Sequence, residues 1–138
     1  MNKSCTFKAG GLFFVLVLCI GFGSAIGQQK APIENKGLTV KQLSSVDLGP
    51  EIEGMDGRQL RMRMITIEPG GVLGLHSHKG RPDTAYMLQG KVVEHMGDLI
   101  KELSAGDAFA STKETLHWLE NRRTTPAIFI AVDIFKQP

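Results

Sequence analysis

The reading of this chain turns on residues Gly70 to Gly90, GGVLGLHSHKGRPDTAYMLQG. His76 and His78 stand two apart, Asp83 follows, and glycines mark both ends. In a β-strand, residues i and i+2 point to the same face, so both imidazoles can reach one point. That placement suits two ligands of one metal ion. Taken alone, it equally suits two histidines on a solvent-facing strand. The i, i+4 spacing of a helical zinc site is absent.

The flanks of this stretch read as strands. On its N-terminal side, RQLRMRMITIEPGG alternates over a long run. Leu60, Met62, Met64 and Thr66 fall on one face, Arg61, Arg63, Ile65 and Ile67 on the other. EPGG reads as a turn that ends this strand. On the C-terminal side, TAYMLQG and KVVEHMG meet at Gly90 and read as a hairpin. LIKELSAGDAFAS gives two strands about a Gly106-Asp107 turn, and TLHWLEN and PAIFIAVDIF complete the series. The last is nearly all apolar, the pattern of a strand buried on both faces. No segment of this region keeps a 3.6-residue period for three turns. Many short strands with closely spaced turns point to an all-β sandwich or barrel.

The N-terminal region is different in kind. MNKSCTFK carries two lysines, GGLFFVLVLCIGFG is apolar and uncharged, and SAIGQQ follows with small residues. A basic start, an apolar middle and a small-residue exit describe a secretory signal peptide over residues 1–27, cut before Gln28. The apolar run is short for a membrane span of about 20 residues, which favours cleavage over an uncleaved anchor. Export implies a periplasmic or secreted protein, touching membrane only through the leader if it is uncleaved. Both cysteines, Cys5 and Cys19, lie in this segment, so the expected mature chain has no internal disulfide. Without Lys3 and Lys8, sixteen Lys/Arg become fourteen, against fourteen Asp/Glu. That neutral balance and the lack of aromatic–basic interleaving exclude a nucleic-acid surface as the expected partner. Residues 28–57 read as an arm, a first strand LTVKQLSSVDL and a surface loop LGPEIEGMDG, and residues 58–138 as the barrel domain.

A third histidine strengthens the metal reading. His117 lies in TLHWLEN, itself a strand, which can join His76 and His78 only if the sheet curls it across a pocket. Asp83 offers a carboxylate. Three imidazoles and one carboxylate suit one divalent transition metal ion of the Fe, Mn, Ni, Zn or Cu class.

The spacing resembles the two conserved boxes of the cupin superfamily. In the first, Gly70 is followed by five residues, His76-Ser77-His78, four residues, Asp83, six residues and Gly90. In the second, Gly106 is followed by five residues, Thr112-Lys113-Glu114, two residues, His117, three residues and Asn121. The fifteen residues between Gly90 and Gly106 match the short inter-box spacing of small microbial cupins. Two departures stand out: Asp83 occupies the usual Glu position, and Thr-Lys-Glu occupies the Pro-x-Gly position. The resemblance implies a single-domain cupin-type β jelly-roll barrel, with His76, His78, His117 and Asp83 as metal ligands.

The remaining polar residues carry two readings each. Glu94 reads as a solvated acid or as a pocket acid or base, and His95 as a strand-face histidine or a pocket neighbour. Arg81 sits at the expected mouth and joins these two as a candidate catalytic group. Arg63, Arg81 and Tyr86 are the candidates for substrate binding, the arginines as handles for an anion. Tyr86, Met87, Phe109, Trp118, Phe129 and Ile134 also fit a core. The expected function is a metal-dependent enzyme of oxygenase, decarboxylase, lyase or isomerase type on a small organic molecule. The alternative is a protein that binds metal or a small ligand without turnover. The arm QQKAPIENKGLTV and the sheet edges are candidates for pairing in a homodimer.

Overall fold

The computed structural model describes residues 30–136; the expected signal segment lies outside them. The described residues form eight strands and no helix. They are β1 (Lys36–Asp47), β2 (Arg58–Ser77), β3 (Asp83–Gln89), β4 (Lys91–Met96), β5 (Leu99–Ser104), β6 (Ala108–Ser111), β7 (Leu116–Glu120) and β8 (Ala127–Lys136). All the pairings are antiparallel, in the order β5-β4-β7-β2-β8-β3-β6, with β1 also on β2.

The long strand β2 makes the sheet curl. Its first half, Arg58–Ile67, pairs with β8, and its second half, Val72–Ser77, pairs with β7. One strand therefore serves both walls of the jelly roll. EPGG, expected to turn the chain, instead bends β2 without ending it. Gly70 takes the left-handed conformation (φ 70°), and Gly70 and Gly71 exchange backbone hydrogen bonds with Asn121. Asn121 is buried, and its side-chain amide donates to the carbonyls of Ile67 and Thr125. The end of one box is thus tied to the start of the other.

Gly90 does not make the expected hairpin. β3 pairs with β6 and β8, whereas β4 pairs with β5 and β7. Gly90 is where the chain crosses from one wall to the other. Its positive φ (72°) allows the reversal, and the Pro126 carbonyl would stand 2.5 Å from any added Cβ. Local turn chemistry marks the bend but cannot choose the partner strand.

The inward faces of both walls meet in one apolar cluster that includes Ile65, Ile67, Met87, Leu103, Leu119 and Phe129. Met87, Phe129 and Trp118 are buried, as a core reading expects; Phe109 packs at the margin of the cluster. Ile134 and Tyr86 point the other way. β8 alternates buried and part-buried residues, so Ile134 shares the outer face with Ile130, and Tyr86 is half exposed. Burial of the last strand on both faces is therefore only half met within one chain.

The arm folds onto its own chain. The Pro32 carbonyl accepts from the Leu75 amide, and Asn35 Oδ1 accepts from the Gly74 amide. These bonds lay the arm along the strand that carries His76.

Candidate metal centre

His76 and His78 stand near the end of β2 and just beyond it, and His117 stands on β7, directly across from His76 in the strand register. The curl brings all three together. Their Nε2 atoms lie 3.1 Å (His76–His78), 3.0 Å (His78–His117) and 3.2 Å (His76–His117) apart. Among the described residues they form a group whose candidate ligand atoms all lie within 4.8 Å of one another.

The opposite ring nitrogens make this triangle a candidate site for a cation. His76 Nδ1 is 2.8 Å from the Gly74 carbonyl, His78 Nδ1 is 3.2 Å from the Arg81 carbonyl, and His117 Nδ1 is 2.6 Å from Glu94 Oε1. A carbonyl oxygen or carboxylate only accepts, so each Nδ1 must carry the proton. Each Nε2 is then a lone pair, and three lone pairs converge. A divalent cation relieves that repulsion. Burial lowers the His76 pKa to about 4 and lowers that of His78, which keeps both rings neutral and able to ligate. Nitrogens this close could share one divalent cation at metal–nitrogen bonds of about 2.1 Å.

Glu94 is not the solvated acid of the first reading. It is buried, and it holds His117 in place. Carboxylates behind metal-bound histidines fix the tautomer and raise ligand basicity. Asp83 lies on the other side of the centre. Its Oδ1 is 3.5 Å from His78 Nδ1, the nitrogen turned away from the triangle, and Asp83 is outside the three-histidine group. That Oδ1 is buried and has no hydrogen-bond partner.

The triangle opens onto a cavity of about 330 Å³ whose lining includes Arg63, Arg81 and Asp83 as well as the three histidines. Behind this wall is a residue that the sequence reading passed over. Asp133 is fully buried and gathers three arginines. Arg61 binds it through Nε (3.1 Å) and Nη2 (2.8 Å), Arg63 through Nη2 (3.0 Å), and Arg81 Nη1 stands 3.7 Å away. Arg61 also stacks on Phe135. Three guanidiniums meet two carboxylates, Asp133 and Asp83, so the wall carries a positive surplus. Arg63 Nε is buried without a partner, and burial lowers the pKa of this guanidinium, the mark of a charge short of compensation.

Two of the other candidates lie away from the cavity. His95 alternates with Glu94 along β4 and is buried on the opposite face of the sheet. It stacks on Trp118 (centroids 3.8 Å apart, rings 4° from parallel) and bonds Glu120 Oε1 at 2.8 Å. Tyr86 stands on the outer face of β3 and does not line the cavity.

Residues 63–133, just over half of the chain, match the family model described as a cupin domain. The chain is 30% identical over 82 residues to an oxalate-binding protein of Thermotoga maritima, covering 59% of this chain and 68% of that one. It is 30% identical over 86 residues to germin-like protein 3-1 of Oryza sativa subsp. japonica, spanning 58% of this chain but 38% of the rice protein. Among solved structures, KdgF from Halomonas sp. superposes with a TM-score of 0.59 at 19% identity, covering 73% of this chain and 82% of that one. The boxes, the curled sheet and the family match agree, and the chain belongs to the cupin family.

Proposed function

We propose that this protein is an exported cupin that holds one divalent transition metal on His76, His78 and His117. In this reading it acts as a metal-dependent enzyme on a small organic acid. The observation that carries it is the converging set of three Nε2 lone pairs, each fixed by an acceptor on the opposite ring nitrogen, at the wall of a cavity that also presents guanidinium groups. A divalent ion held there would act as a Lewis acid on a substrate oxygen. The chain's own residues do the rest. Arg63 and Arg81 attract and orient a carboxylate on the cavity wall. Glu94 keeps the proton on His117 Nδ1. Of the acids in the centre, Glu94 is engaged behind His117, which leaves Asp83, with its unpartnered Oδ1, to hold or move a proton next to the ligand. The name of the Thermotoga relative, an oxalate-binding protein, supports a small carboxylate as ligand.

One observation favours a second reading, binding without turnover. Among the described residues that line the cavity, no acid or base other than Asp83 and the three histidines is found. The experiment is metal analysis of protein purified without a metal column, then binding and turnover with a panel of mono- and dicarboxylates. The enzyme reading expects close to one metal per chain and turnover that Asp83→Asn abolishes with the carboxylate still bound. Carboxylate binding without turnover supports the second reading. Less than about a tenth of a metal equivalent after reloading sinks both.

Export belongs to the same proposal. The mature protein is expected to begin at Gln28 and to be found in the periplasm or the medium. An intact mass that includes residues 1–27 would overturn cleavage.

A further inference from the structure

A groove of about 390 Å³ shares a wall with the metal cavity. Arg58, Lys79, Arg81 and Lys136 line it, Phe135 gives it an apolar patch, and its lining holds no acid. Arg81 lines both spaces, so one guanidinium belongs to two walls. Three features separate this groove from an ordinary solvated surface. First, Arg58 and Lys136 stand directly opposite each other in the register of β2 and β8. Like charges so placed destabilise a strand pair, and an anion between them reverses the sign. Second, among the described residues no carboxylate forms an ion pair with Arg58, Lys79 or Lys136. Arg81 has only Asp133, at 3.7 Å, and Arg61 and Arg63 hold that carboxylate more closely. Third, the cations are drawn together by the backbone. Arg58 Nη1 reaches the Gly80 carbonyl at 3.4 Å, on the loop that carries Lys79 and Arg81.

We propose that this groove is a second anion subsite, which holds the far acidic group of a ligand whose first carboxylate lies in the metal cavity. Such a subsite depends on the proposed function, which places that first carboxylate beside Arg63 and Arg81. The charge balance selects the ligand. The cavity wall already carries a positive surplus, and the groove adds Arg58, Lys79 and Lys136 without an acid. A monoanion leaves most of that charge unmatched, whereas a ligand with an acidic group at each end meets both walls. Phe135 offers an apolar contact to the carbon chain of such a ligand. The ligand class is therefore an elongated organic dianion. Arg81 is its positioning residue, at the place where the two subsites meet.

The test is calorimetry of the metal-loaded full chain as purified, with acetate, succinate, glutarate and adipate. It compares the natural protein with the double variant Lys79→Ala/Lys136→Ala. Both lysines are exposed, so the variant keeps its fold and its metal. The natural protein is expected to bind at least one diacid about 10-fold or more tightly than acetate. The double variant is expected to lose that advantage and to bind acetate within about threefold of the natural protein, because salt of about 0.15 M screens charges more than about 8 Å away. A diacid preference that the double variant retains overturns the proposal, since chelation by the metal then accounts for it. Acetate bound as tightly as every diacid overturns it and leaves the proposed function standing. If the metal-loaded natural protein binds none of the four acids, the proposed function falls with it.

Discussion

The two walls that flank the three histidines differ in how completely their charges are used. On the β4–β7 side, Glu94 is buried and its Oε1 is engaged with His117 at 2.6 Å. On the β2–β3–β8 side, three arginines share Asp133, while Asp83 Oδ1 and Arg63 Nε are buried without hydrogen-bond partners. A buried polar atom without a partner costs about 1–3 kcal/mol, more when it is charged. A fold tolerates that cost readily where a ligand meets it. In the proposed function this difference is a division of labour: the three histidines with Glu94 hold the metal, and the arginine-rich wall meets the ligand.

Breaking the cage should have the largest effect. His117→Ala is expected to leave less than about a tenth of a metal equivalent by elemental analysis, because only two of the three converging imidazoles remain. Normal occupancy would dissolve the distinction between the walls. Glu94→Gln should weaken metal affinity about 10- to 100-fold in a competitive chelator titration. Asp83→Asn should change it less than Glu94→Gln does. Equal losses would mean that both carboxylates serve the metal.

The other wall answers to a different readout. Arg63→Leu should leave metal affinity within about twofold and weaken carboxylate binding to the metal-loaded protein about 10-fold or more in calorimetry. Asp133 keeps Arg61 as its partner in that variant, so the fold should persist. Unchanged carboxylate affinity would take the ligand away from this wall.

The smallest effect concerns the metal-free protein. Burial holds His76 at about 4, below its ordinary 6.5. Between those values the unfolded chain binds a proton that the folded chain does not. The stability associated with neutral His76 is therefore fully present above pH 6.5 and is lost as pH falls towards 4. Thermal melting of metal-free protein should show a lower midpoint at pH 5 than at pH 7.5, and His76→Gln should flatten that dependence. An identical slope in His76→Gln would assign the loss to other groups.

Much of the centre was legible because strands have a period of two. His76 and His78 share a face in any strand, and the resemblance to the two conserved boxes implied that His117 joins them. The carboxylates were harder, since burial is set by the curl of the sheet and not by local sequence. A signal existed all the same. Glu94 stands two residues after Val92, a core residue, and Asp133 stands two after Ala131 and four after Phe129. An acid on the apolar face of a strand must find a partner there. Reading KVVEHM and PAIFIAVDIF by face would have found both. The crossing at Gly90 was not legible, because a turn residue specifies a bend and says nothing of which strand waits beyond it.

Gly74 gives the arm a further meaning. A Cβ at this position would stand 2.7 Å from the Ile33 carbonyl oxygen, and Ile33 and Gly74 both line the cavity. The clearance between arm and strand is thus a single missing carbon, two residues from a histidine of the centre. Residue 74 and the arm cannot vary independently: a larger residue there displaces the arm, and a displaced arm resizes the cavity. For anyone redesigning this protein, or for a lineage drifting between ligands, pocket width is a coupled trait that changes in jumps.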